Sequence, residues 1–95
     1  MIDEKELKEI EKRCKYSTRG PWKAYIEGRD HSSGSHFIMT GDENDRGEDF
    51  EIEGARVDDY IFIANAKQDI PKLIDEIRRL KNLVGNDGNG GSVLK

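Results

Sequence analysis

The apolar residues of this chain change period once, and that change limits the fold more than any other feature. Trp22, Ala24 and Ile26 alternate with Lys23, Tyr25 and Glu27, the two-residue repeat of a strand with one buried face. From Val57 onward the repeat is three or four: Val57, Ile61 and Ala64 share one helical face, Phe62 and Ala66 another, and Tyr60 and Ile63 lie between them. A helix apolar nearly all round is expected to be buried. Two periods in separate blocks describe an α+β chain. At 95 residues it holds one core, because domains usually run to about 100–150 residues and a second core would bury too little surface.

The boundaries follow from local chemistry. Asp3 suits an N-cap, Glu6 completes a capping box, and Ile2 is placed to staple against Leu7, so a first helix is expected from Glu4 to Lys15 or Tyr16, with Leu7, Ile10 and Cys14 on one face. Gly20, preceding Pro21, is pushed toward extended geometry and leads into the first strand. The turn-rich segment Gly28 to Gly34 separates it from a second strand over Ser35 to Thr40. A third strand is expected at Phe50 to Glu53, after a loop from Gly41 to Asp49. Asp69-Ile70-Pro71 reads as a fresh helix start, Asp69 as N-cap and Pro71 in the first turn, so two C-terminal helices are expected. The last of them carries Leu73, Ile74, Ile77, Leu80 and Val84 as a near-heptad stripe and ends at Gly85. The expectation is therefore an N-terminal helix, a three-stranded antiparallel meander and two C-terminal helices on one sheet face, in a domain of residues 1–84 with a flexible Gly/Asn-rich tail at 85–95.

Charge narrows the partners. Residues 1–23 carry seven Lys/Arg against five Asp/Glu, residues 24–59 three against eleven, and residues 60–95 six against four. An acidic middle between mildly basic ends argues against direct DNA binding, which needs a basic face to displace counterions. The single cysteine, Cys14, forms no disulfide framework or Cys-rich zinc site and suits a reducing cytoplasm. No apolar leader opens the chain and no run reaches the roughly 18 residues that span a bilayer, so no membrane role is expected.

Two stretches resemble a known family. Ser17-Thr18-Arg19-Gly20-Pro21-Trp22 and the segment from Asp59 to Ile74 (DYIFIANAKQDIPKLI) are similar, in the same order, to the "ATPGPW" turn and the "ADAxFIAxARxDIPxLLxExxRL" motif of the Ead-like set of small bacteriophage and prophage proteins. Arg19 stands where that pattern has its first proline, Tyr60 where it has a small residue, and Lys67 where it has arginine. The resemblance implies a phage accessory protein in the cytoplasm of an infected bacterium, and small phage proteins of this kind commonly act by binding. Sequestering a nucleotide-derived immune signal of the host is one such strategy, taken here as analogy.

The residues that suit such a ligand are Arg19 and Lys23 for charge, Trp22 for stacking, His36 at a polar hairpin tip, Arg56 ahead of a helix N-terminus, and Tyr60. The competing reading of Trp22 is a core side chain set by its alternation with Ala24 and Ile26. The hairpin tip His31-Ser-Ser-Gly-Ser-His36 lacks the GK[ST] ending of a P-loop, and two histidines without a third ligand make no zinc site. Asp42 to Glu53 scans as a calcium loop, but Arg46 occupies a position that needs an oxygen and strands replace the flanking helices. That acidic segment has a rival use, imitating a nucleic-acid backbone to occupy a basic groove on a host protein. No nucleophile and base are paired by any spacing, so no catalysis and no cofactor are expected. A chain this small has little room for a ligand pocket, so a homo-oligomer joined through the first or third helix is expected, with the ligand at its interface.

Overall fold

The computed structural model describes residues 2–87. Helix α1 (Glu4–Tyr16) leads to a three-stranded antiparallel sheet of β1 (Trp22–Tyr25), β2 (Phe37–Gly41) and β3 (Arg46–Phe50), in the order β1-β2-β3, and a single helix α2 (Val57–Asp87) follows. The α+β class, the first helix and the antiparallel sheet match the sequence expectation.

Helix α1 starts where its cap places it. The Asp3 carboxylate accepts the Glu6 N–H at 2.9 Å, and Glu4 and Glu6 put negative charge at the positive end of the helix dipole. One face is buried at Leu7, which is 1% exposed. The helix packs along α2, where Arg78 reaches Glu4 and Glu11, each at 2.9 Å.

Cross-strand pairing sets one face of the sheet against α2. Ala24 lies opposite Ile38, and Ile38 opposite Phe50. With Ile26, Tyr60 and Ala64 they build the core, where Ile38 and Ala64 are essentially inaccessible. The other face stacks Tyr25 on Phe37, with ring planes 3° apart and centroids 5.2 Å apart, and His31 folds over Phe37 from the β1–β2 loop.

Three sequence expectations are corrected. The third strand lies at Arg46–Phe50, not Phe50 to Glu53. Gly41, at φ 77°, turns the chain sharply, and a Cβ there would run into the Asp45 carbonyl oxygen, so pairing resumes at Arg46. Past Phe50 it stops, because the Tyr60 hydroxyl accepts the Ile52 N–H at 2.8 Å and bonds the Ile52 carbonyl at 3.2 Å, taking both groups a ladder would need.

The two C-terminal helices are one. Pro71 sits inside α2, and Asp69 is a helix residue, not an N-cap. A proline removes one intrahelical hydrogen bond, but the turns before and after Pro71 are both anchored: Lys67 and Gln68 to the α1–β1 corner, Arg78 to α1, and Ile74 by its burial. Nor does the helix end at Gly85, since one glycine costs a helix interior only about 1 kcal/mol. Of the tail expected at 85–95, residues 85–87 belong to α2 and residues 88–95 lie outside the described residues.

The third correction concerns burial. Phe62, in a stretch expected to be covered all round, is 74% exposed. The sheet takes the Tyr60 and Ala64 side of α2 and α1 takes a second side, which leaves Phe62 facing outward.

Candidate functional site

The corner from Ser17 to Trp22 is held in place by two residues of α2. Lys67 Nζ donates to the Cys14 carbonyl at 2.9 Å and to Ser17 Oγ at 2.6 Å, while Ser17 Oγ itself donates to the Cys14 carbonyl at 2.7 Å. These bonds satisfy the Cys14 carbonyl, which the last turn of α1 leaves free, and a cation is favoured at that negative dipole end. Gln68 takes the other side: its Oε1 accepts the Trp22 N–H at 2.8 Å and its Nε2 donates to the Trp22 carbonyl at 3.1 Å. The free edge of β1 is thus paired by a side chain.

Trp22 is half-buried and shared between core and surface. Its Nε1 donates to the Thr18 carbonyl at 3.0 Å, Phe50 meets it edge-on at 5.4 Å, and Lys67 Nζ lies 5.3 Å from the ring centroid. Beside it runs an open groove of about 380 Å³ between α1 and α2. Trp22, Phe62, Ile10 and Ile70 line its apolar part, and Arg13 and Lys67 supply positive charge. Among the described residues, no carboxylate lies within ion-pair distance of either cation.

The other expected ligand residues are dispersed. Arg19 is exposed and pairs with the Asp45 carboxylate at 3.1 Å, also donating to the Asp45 carbonyl at 3.2 Å. Lys23 points to the opposite sheet face from Trp22, with its Nζ 5.1 Å from the Tyr25 ring centroid. His36 Nδ1 accepts the Glu27 N–H at 3.0 Å, and its ring meets Tyr60 at 5.8 Å. Tyr60 is buried and its hydroxyl is committed to Ile52. At Arg56, the α2 N-terminus already carries an anion of its own, since Asp59 Oδ2 accepts the Arg56 N–H at 2.9 Å. Of the six, Trp22 alone lines the groove.

The chain was compared with protein-family models, with curated proteins and with solved structures. None matches. Among the described residues, no helix is long and apolar enough to cross a membrane.

Reasoning from sequence missed Arg13, Phe62, Lys67 and Gln68. Phe62 carried a readable signal: it stands four residues before Ala66 and eight before Ile70, one stripe if the helix is unbroken. The assumed break at Pro71 hid it. Arg13 and Lys67 looked like ordinary solvated charge, because their proximity depends on how α1 crosses α2.

Proposed function

We propose that this chain is a non-catalytic binding protein that captures a nucleotide-derived immune signal of a bacterial host, acting on behalf of a phage. The observation that carries the reading is the groove, where two aromatic rings, one of them the outward Phe62, stand beside two cations, Arg13 and Lys67, that have no carboxylate partner among the described residues. A base stacks on an aromatic face, and a phosphate is drawn to guanidinium and ammonium groups. The groove is open in one protomer, and a second copy seated near α2 completes its wall. The resemblance at Ser17 to Trp22 and Asp59 to Ile74 supports the phage setting.

The test is thermal melting of the protein with cyclic di- and trinucleotides and ADP-ribose derivatives. A ligand that binds the folded state raises Tm, by the equivalent of about 2.7 kcal/mol at one hundred times its Kd. Phe62→Ala and Arg13→Ala should abolish the shift while Arg19→Ala retains it. A flat response across the panel overturns the reading.

One observation favours a second reading, host-protein binding through the acidic segment. Residues 42–49 are exposed throughout, and β3 forms an open edge of the sheet. Arg19 and Arg46 neutralise Asp45 and Asp49, which leaves Asp42, Glu43 and Glu48 without ion pairs among the described residues. Salt-sensitive capture of a basic host protein, lost when Asp42, Glu43 and Asp45 are made amides, would select this reading.

A further inference from the structure

We propose that the exposed face of α2 is the seam of a parallel, in-register two-stranded coiled coil with a second copy of this chain. The inference shares with the functional reading above the second copy and the groove residue Ile70, but it involves no ligand and is tested without one.

Because α2 runs unbroken through Pro71, its apolar spacing is continuous. Ile70, Leu73, Ile77, Leu80 and Val84 follow one another at intervals of three and four, and Ile63 and Ala66 continue the same rhythm upstream. From Ile70 this is a heptad repeat over two heptads, with Ile70, Ile77 and Val84 at a and Leu73 and Leu80 at d. Ile63 and Ala66 keep the spacing, but Ile63 packs against the protomer's own core and both line the groove. Within the protomer most of this stretch is uncovered: Leu73 is 61% exposed, Leu80 48% and Val84 59%, with Ile77 half-buried. Downstream of Ile70, helix α1 lies beside the seam and not over it, since Arg78, which bonds Glu4 and Glu11 of α1, and the buried Ile74 occupy the adjacent side of α2.

Residue identity along the seam selects the geometry. β-Branched residues at a with leucine at d favour two parallel strands over higher assemblies. Charge selects the same direction. Glu76 falls at g and Lys81 at e of the next heptad, and in a parallel in-register pair each g side chain faces the following e of the other helix. Lys81 is half-buried and has no ion pair among the described residues, so it is free for Glu76 of the twin, which in the protomer is held by Arg79 and exchanges or shares that partner on pairing. An antiparallel pair would instead set g against g, bringing the acidic Asp69 and Glu76 side against itself. A host helix would have to match this pattern by chance, whereas a second copy matches it by identity.

Light scattering coupled to gel filtration should return twice the protomer mass at micromolar concentration, and Leu73→Glu with Leu80→Glu should return the protomer mass. Both leucines are exposed in the protomer, so circular dichroism of the double variant should keep the wild-type spectrum. Direction is read from Val84→Cys in a Cys14→Ala background: a parallel in-register dimer oxidises to a disulfide-linked pair. Glu76→Lys should weaken the dimer at least several-fold, and adding Lys81→Glu should restore it. A wild-type monomer overturns the inference. So does a dimer in which Val84→Cys forms no self-disulfide, or one that survives the double leucine variant.

Discussion

The side-chain amide of Gln68 binds both backbone polar groups of Trp22, accepting its N–H at 2.8 Å and donating to its carbonyl at 3.1 Å. A helix residue thereby stands in for a neighbouring strand at the open edge of β1. This blunts an edge that would otherwise be free to recruit another chain. It also ties the corner Ser17 to Trp22 to α2, so the wall of the groove is set by a contact 46 residues apart in sequence.

Gln68→Ala should therefore destabilise the fold by roughly 2 kcal/mol, because it leaves a half-buried N–H and carbonyl unpaired. Asn65→Ala serves as the comparison. Its amide donates to the Ile61 carbonyl of its own helix and it is exposed, so the expected change is within about 0.5 kcal/mol. Urea denaturation of the two variants measures the difference. Equal midpoints would show that the Trp22 pairing contributes nothing.

Pro71→Ala should stabilise the protein. Within a helix, proline is about 3 kcal/mol worse than alanine, and it recovers only about 0.4–1 kcal/mol by restricting the unfolded chain. A net gain of roughly 2 kcal/mol is expected in the denaturation midpoint, with restored hydrogen bonding to the Lys67 carbonyl. If Pro71 occupied the first turn of a separate helix, the same substitution would be neutral or destabilising.

Acid should loosen α1 from α2. The Arg78 hydrogen bond, helped by its charge, holds the Glu11 carboxyl below its ordinary range against a smaller opposing cost of desolvation. A carboxyl with a lowered folded pKa takes up its proton more readily in the unfolded state. Its contribution is thus complete above the ordinary carboxylate range and is lost as pH falls through the lowered folded value. The groups are partly exposed, so the effect is modest and weakened by salt. Arg78→Ala should give a shallower fall of Tm on the acid side than wild type. Superimposable profiles would remove the pair from the account of α1 docking.

Much of this architecture was legible in sequence where the cause is local. Asp3, Leu7 and the alternation at Trp22 to Ile26 act through neighbours within a turn or a strand, so the first helix was readable to within a residue and the first strand to within two at its end. Phe50 to Glu53 misled because its alternation is real but its pairing is decided elsewhere, by the turn at Gly41 and the Tyr60 hydroxyl. The candidate site was legible only at Trp22. Arg19 had the right chemistry, but Asp45, 26 residues away, claims it.

By itself the sequence determined the α+β class, the first helix with its cap, and the heptad spacing from Leu73 to Val84, because periodicity and capping are properties of short stretches. Tertiary structure alone decided that α2 passes through Pro71. A proline costs a helix a few kcal/mol, and anchoring at Lys67, Gln68, Ile74 and Arg78 holds the turns on either side in line. Because that helix is continuous, Phe62 shares a face with Leu73 and Leu80, and the groove and the seam lie on one element.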